Sequence, residues 1–70
     1  MKKMYEEYWR RIDKRQWERN KEQIYELLRR YHVYNDVDVL EVIAELYGQV
    51  NDFEMEELYY EMYSKHKVDL

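Results

Sequence analysis

Residues 37–48 read VDVLEVIAELYG, and this stretch decides the fold. On a helical wheel its apolar side chains cover most of the circumference, while Asp38, Glu41 and Glu45 form a single polar stripe. A helix that is apolar on nearly every side has to be covered by several neighbours. The pattern therefore predicts a central helix over about residues 37–47, against which the rest of the chain packs.

The residues on either side of this run predict where the central helix begins and ends. In the stretch HVYNDVD at 32–38, the side chains of Asn35, Asp36 and Asp38 can each accept hydrogen bonds from the free N–H groups of a helix start. Asp38 and Glu41 have the spacing of a capping box. At the other end, we expect Gly48 to be the left-handed residue that terminates the helix.

A tight turn with the sequence GQVND, at 48–52, predicts a helical hairpin. Asn51 is followed by Glu54 at capping-box spacing, so a third helix is expected to start there and to run over about residues 52–66. It would lie antiparallel to the central helix. The side chains expected on its inner stripe are Met55, Leu58, Tyr59 and Met62.

Residues 3–32 contain no helix breaker and predict a long N-terminal helix whose apolar residues form two separate stripes. The first stripe consists of Tyr5, Tyr8, Trp9 and Ile12. The second consists of Trp17, Ile24, Leu27, Leu28 and Tyr31, and it lies roughly 80–90° around the helix from the first. Residues 18–23, ERNKEQ, separate the two stripes and have no apolar side chain. One continuous helix would show its halves to different partners; alternatively it bends near residues 18–21, or two helices meet there.

Together these patterns predict an all-α fold: a long N-terminal helix, either continuous or bent, followed by the hairpin, as one small domain over residues 1–70. With 70 residues and no cysteine, the chain has a small core and no disulfide or thiolate metal site to stabilise it. Its apolar runs are too short to span a bilayer and its start is not typical of a secretory signal, so we expect a cytoplasmic protein.

Charge is divided unequally along the chain. Residues 1–33 contain ten basic and six acidic side chains, whereas residues 34–70 contain two and ten. Such an asymmetry bears on association with partners or with a second copy of the chain, and carries little information about the fold. The basic N-terminal helix is expected to neutralise part of the acidic hairpin, and a surplus of negative charge remains.

Most of this surplus lies in residues 52–63, DFEMEELYYEMY, which hold five carboxylates and no basic residue. The outer side of the predicted third helix combines carboxylates with exposed aromatic rings, a composition that binding surfaces favour. The candidate partner-binding residues are Phe53, Glu54, Glu57, Tyr60 and Glu61. The alternative is that Phe53 and Tyr60 cover a neighbouring helix.

The sequence argues against several other functions. The hairpin has the spacing of a helix-turn-helix motif, but the carboxylates of its second helix would face the phosphates of DNA and be repelled by them. His32 and His66 are not spaced as a ligand pair, and residues 36–41 lack the glycine and the closing glutamate of a calcium loop. Because there is also no activated nucleophile and no phosphate-binding loop, we expect no enzymatic activity, no metal and no cofactor.

These observations favour a non-enzymatic protein-binding module or inhibitor. Its acidic, tyrosine-rich hairpin would dock on a basic surface of a partner protein and could occlude a nucleic-acid-binding site; no direct binding of nucleic acid or membrane is expected. The alternative is a self-assembling helical module or regulatory homodimer. In that case the N-terminal helix is the interface, through Tyr5, Tyr8, Trp9 and Ile12.

Overall fold

Four α-helices make up the part of the chain that the structure describes, a computed structural model in which the backbone is described for residues 2–68 and the side chains for residues 7–67. The helices are α1 (Lys2–Arg11), α2 (Lys14–Tyr34), α3 (Val39–Gln49) and α4 (Phe53–Val68). The predicted all-α fold is confirmed. The expected first helix corresponds to α1 and α2 together.

Helix α3 is the centre of the core, as its apolar circumference predicts. It packs against α2 on one side and against α4 on the other. Leu40 and Ile43 are completely buried, together with Ile24 of α2, and Val50 in the following turn is 1% exposed. Each fully buried side chain of this size contributes about 1.5–3 kcal/mol relative to an exposed one, so these four residues carry much of the stability of the domain.

The N-terminal helical segment is interrupted at residues 12–13, so both the continuous helix over residues 3–32 and the alternative of a bend or junction near residues 18–21 are wrong. Asp13 has an extended backbone (φ −78°, ψ 98°), and its carboxylate accepts a hydrogen bond of 3.1 Å from the backbone N–H of Gln16. This is an N-cap, which starts a new helix. Helix α2 then runs without interruption from Lys14 to Tyr34.

The reason why α2 continues through residues 18–21 is a buried polar side chain. Asn20 is only 6% exposed. Its amide donates to the carbonyl oxygen of Leu46 (3.3 Å) and to Oε1 of Gln49 (3.0 Å), and it accepts from Nε2 of Gln16 (3.1 Å). The segment without apolar residues therefore packs on the C-terminal end of α3 through hydrogen bonds.

The break between α1 and α2 also provides a hydrogen-bond donor for the C-terminal end of α3. The last carbonyl groups of a helix have no partner inside the helix and need one elsewhere. The N–H of Asp13 donates to the carbonyl oxygen of Val50 at 2.8 Å, just after α3. The interruption and the buried Asn20 thus satisfy neighbouring carbonyl groups at one end of the central helix.

Two predicted helix ends are displaced by a residue or more, and the predicted cap at Asp38 lacks its side-chain hydrogen bond. Gly48 lies inside α3, and the left-handed residue of the turn is Asn51 (φ 64°). The cap of α4 is Asp52, whose Oδ1 accepts from the N–H of Met55 at 3.3 Å. Asp38 lies at the start of α3 without a capping hydrogen bond from its side chain. Asparagine tolerates the left-handed region, so the turn does not need its glycine there.

Aromatic stacking links the three longer helices. The rings of Trp17 and Tyr47 stack with their centroids 6.3 Å apart, and Tyr47 stacks on Tyr59 with centroids 5.7 Å apart. At the far end of α2 and α4, the hydroxyl of Tyr31 lies 3.3 Å from Nε2 of His66. Much of the aromatic content of the chain therefore serves the packing of α2, α3 and α4.

The orientation of α4 about its own axis shows that one residue predicted for the core, Leu58, is wrong. Leu58 is 45% exposed, whereas Tyr63 packs against the core together with Met55, Tyr59 and Met62. Because Tyr59 faces Tyr47, its neighbour Leu58 is turned about 100° away, to the flank of α4. Tyr63 follows Tyr59 by one helical turn and takes the inner position instead.

Candidate functional site

The candidate site is the outer side of α4, where the structure brings together four of the five predicted binding residues. An open depression of about 650 Å³ is lined by Phe53, Glu56, Glu57, Tyr60, Glu61, Ser64 and Lys65. Phe53 is 48% and Tyr60 is 37% exposed. The two rings therefore reach solvent among carboxylates. We refer to the surface formed by Phe53, Glu56, Glu57, Tyr60 and Glu61 as the acidic aromatic face.

Carboxylates of α3 add negative charge beside this face. The sequence did not predict this contribution. The pKa of Tyr60 is raised from its ordinary value, first by partial desolvation and then by the carboxylates of Glu45, Glu56 and Glu41. The polar stripe of α3 thus lies on the same side as Tyr60. The stripe itself was visible in the sequence, but its side relative to α4 depends on how the two helices cross.

The face has a less acidic border at the C-terminal end of α4. Lys65 lines the depression, and the ammonium group of Lys67 lies 5.2 Å from the centroid of the Tyr63 ring. The pKa of Lys67 is raised mainly by its hydrogen bond with Tyr63, and to a smaller extent by the charges of Glu41 and Asp38. Cations are favourable at a helix C-terminus. The negative charge of the face is therefore concentrated on the N-terminal two-thirds of α4.

At the N-terminal end of α4 the fifth predicted residue, Glu54, already has a partner. Its carboxylate pairs with the guanidinium group of Arg11 in α1, and this hydrogen bond is the main reason why the pKa of Glu54 is lowered. The same guanidinium lies 5.7 Å from the centroid of the Phe53 ring and 5.5 Å from that of Tyr8. Arg11 therefore covers one end of the acidic aromatic face.

Helix α1 is attached to the turn between α3 and α4, and this attachment uses predicted interface residues. The hydroxyl of Tyr8 donates to the carboxylate of Asp52, which is 8% exposed. Burial, followed by the hydrogen bond and the charge of Asp52, raises the pKa of Tyr8 far above its usual range. Ile12 is 7% exposed within its own chain.

The break at residues 12–13 turns the first apolar stripe back onto the bundle, so Ile12 needs no second chain to cover it. Trp9 is 40% exposed and makes an edge contact with Tyr8, with centroids 6.5 Å apart. The side chain of Tyr5 lies outside the described residues. A homodimer through α1 stays a prediction.

Between α1 and the other helices lies a small and mainly apolar cavity of about 260 Å³. It is lined by Tyr8, Trp9, Ile12, Trp17, Tyr47, Val50, Asp52 and Met55. Small-molecule sites usually have volumes of about 300–1,000 Å³, so this cavity lies below that range. The Tyr47 ring in its lining already stacks with the rings of Trp17 and Tyr59.

Among the side chains of residues 7–67, no group of three or more His, Cys, Asp or Glu is placed to hold a metal ion. Of the two histidines, His66 is in contact with Tyr31 and His32 is exposed at the end of α2.

No known protein family, curated protein or solved structure matches this chain. None of the helices over residues 2–68 is both long enough and apolar enough to cross a membrane.

Proposed function

We propose that this chain is a non-enzymatic protein-binding module that docks its acidic aromatic face on a basic surface of a partner protein. The observation that supports the proposal is the exposure of Phe53 and Tyr60 among carboxylates that come from two helices. A face whose only role was to contact water would gain nothing from exposed rings. Aromatic anchors surrounded by charge are typical of protein interfaces.

The two kinds of side chain have different roles in this interaction. Carboxylates attract a basic partner over distances of about one Debye length, ~8 Å at physiological salt, and mainly accelerate association. A ring buried at the centre of an interface mainly slows dissociation, and its truncation costs about 2 kcal/mol or more. The acidic residues thus bring the partner to the face, and Phe53 and Tyr60 hold it.

The spacing of the carboxylates indicates the class of partner. Side chains three or four positions apart on a helix lie about 5–6 Å from one another, and Glu54, Glu57 and Glu61 follow this spacing along α4. A row of negative charges on this scale can take the place of phosphates. We therefore propose a nucleic-acid-binding protein as the partner, whose binding site the module would block.

The test is a kinetic comparison on a partner that is captured at low salt and released at high salt. Glu57→Lys combined with Glu61→Lys should slow association and flatten its salt dependence. Tyr60→Ala should leave association nearly unchanged and accelerate dissociation. The matched controls are Glu18→Lys combined with Glu22→Lys, which makes the same change of charge at the same spacing, and Tyr34→Ala. These residues are exposed on α2 and none of them lines the depression.

Stability measurements decide whether Tyr60 is available for binding. Tyr60→Ala should melt close to the unmodified protein, whereas Ile43→Ala should melt much lower because Ile43 is completely buried. If both variants lose the same amount of stability, Tyr60 is a core residue and the proposed face does not exist. Equal kinetic effects of Tyr60→Ala and Tyr34→Ala would also contradict the proposal.

A further inference from the structure

Arg11 shows which basic group the acidic aromatic face accommodates. Its guanidinium is paired with the carboxylate of Glu54 and lies over the ring of Phe53, and the ring of Tyr8 lies at a similar distance from it. A carboxylate beside an aromatic face suits a guanidinium better than an ammonium group, because the guanidinium is planar and less strongly hydrated. We call Phe53 and Glu54 the arginine seat.

The contact between Arg11 and this seat is open to exchange. The side chains of Arg11 and Glu54 are 41% and 57% exposed, and exposed ion pairs are held weakly. Helix α1 has only ten residues and is joined to α2 by a non-helical link at residues 12–13. A helix of this length has little stability of its own. The arginine can therefore leave the seat without disruption of the core formed by α2, α3 and α4.

We propose that an arginine of the partner occupies this seat and that Arg11 occupies it in the free protein, so that the two compete. This inference rests on the proposed function, and it names the residue type that the face recognises. Glu57 lies one turn after Phe53 and Glu54 on the outer side of α4. It supplies a second carboxylate to an incoming arginine. The N-terminal helix thus acts as an internal competitor that weakens binding until a partner arginine displaces it.

The experiment uses two defined probes, fluorescein-labelled peptides of nine arginines and of nine lysines, with binding followed by fluorescence anisotropy. Arg11→Ala should bind the arginine peptide more tightly than Arg10→Ala does. Both variants lose one positive charge from α1, but only Arg11 contacts the seat. If Arg11 occupies the seat about two-thirds of the time, the gain is about threefold.

Two further variants separate the seat from general electrostatics. Arg11→Lys leaves the net charge unchanged and should also tighten binding of the arginine peptide, since lysine is the poorer competitor. Phe53→Leu keeps an apolar side chain but removes the ring, and it should reduce the preference for arginine over lysine. Circular dichroism of each variant checks that the helices are retained.

The outcomes distinguish the two proposals. If neither the unmodified protein nor Arg11→Ala binds either peptide in a salt-dependent way, the proposed function itself fails. If the unmodified protein binds but Arg11→Ala binds no more tightly than Arg10→Ala, only competition by Arg11 is overturned. Equal affinity for the two peptides contradicts an arginine seat. Dimers of Arg11→Ala in light scattering would show that the seat takes a second copy of the chain, and would overturn the proposal.

Discussion

Replacement of Asn20 by alanine tests whether a buried amide joins α2 to the end of α3. Asn20 is 6% exposed and makes its hydrogen bonds with Leu46, Gln49 and Gln16. The side chains of Gln49 and Gln16 are exposed and half-buried, respectively, so their amides can bond to water when Asn20 is removed. The carbonyl oxygen of Leu46 cannot do so as easily, because Leu46 is buried.

The expected cost follows from these three bonds. A buried polar group left without a partner, here the carbonyl group of Leu46, costs about 1–3 kcal/mol. Each of the two hydrogen bonds that water can replace, those with Gln49 and Gln16, adds at most about 1 kcal/mol. Alanine is a better helix former than asparagine by up to about 0.7 kcal/mol, which offsets part of the loss. We expect Asn20→Ala to lower the free energy of unfolding by about 2 kcal/mol. For a domain of this size that corresponds to a fall in Tm of about 8–16 °C.

Urea denaturation followed by circular dichroism measures this change. Gln23→Ala is the matched control, because Gln23 is an exposed amide on α2, and it should change stability by no more than about 0.5 kcal/mol. Asn20→Asp should destabilise at least as much as alanine, since it removes both donors and places a charge beside two acceptors. If Asn20→Ala matches Gln23→Ala, the amide does not hold the helices together and the reasoning is refuted.

Two further predictions concern the core. Ile43→Ala should lower the free energy of unfolding by about 2–5 kcal/mol and leave the domain partly unfolded at about 37 °C, because Ile43 is completely buried. The control is Val42→Ala, which changes an exposed neighbour. Equal melting curves for the two variants would contradict a central α3. Burial raises the pKa of Tyr47 to about 12 from its ordinary value of 10, so the unfolded chain loses this proton first. The contribution of Tyr47 to the free energy of unfolding should be fully present below about pH 10 and fall by up to about 3 kcal/mol as the pH rises to about 12. Tyr47→Phe should reduce this loss in urea titrations. An unchanged pH profile in that variant would contradict the prediction.

The helical class and the central position of α3 could be predicted from the sequence. Both follow from local information, because the period of the apolar residues defines a helix and an apolar circumference requires neighbours on several sides. The acidic side of α4 was predictable for the same reason. Residues a turn apart, such as Phe53, Glu57 and Tyr60, share one side of a helix whatever it packs against.

The sequence contains a local signal for the break between α1 and α2. Asp13 precedes Gln16 by three positions, the spacing of an N-cap followed by a capping-box glutamine. The absence of apolar residues at 18–23 was the more conspicuous pattern, and it suggested a bend at the wrong place. A local pattern of this kind cannot distinguish a solvent-exposed segment from one whose asparagine is buried by another helix.

The remaining features were decided only by the tertiary structure. Leu58 and Tyr63 lie on opposite flanks of the inner stripe of α4, and the stacking of Tyr59 on Tyr47 determines which of the two is turned inward. The buried position of Asn20 depends on a carbonyl group at the end of α3. The arginine seat likewise forms only where α1 returns to the start of α4. Each of these depends on contacts between residues far apart in the chain, which local periodicity does not encode.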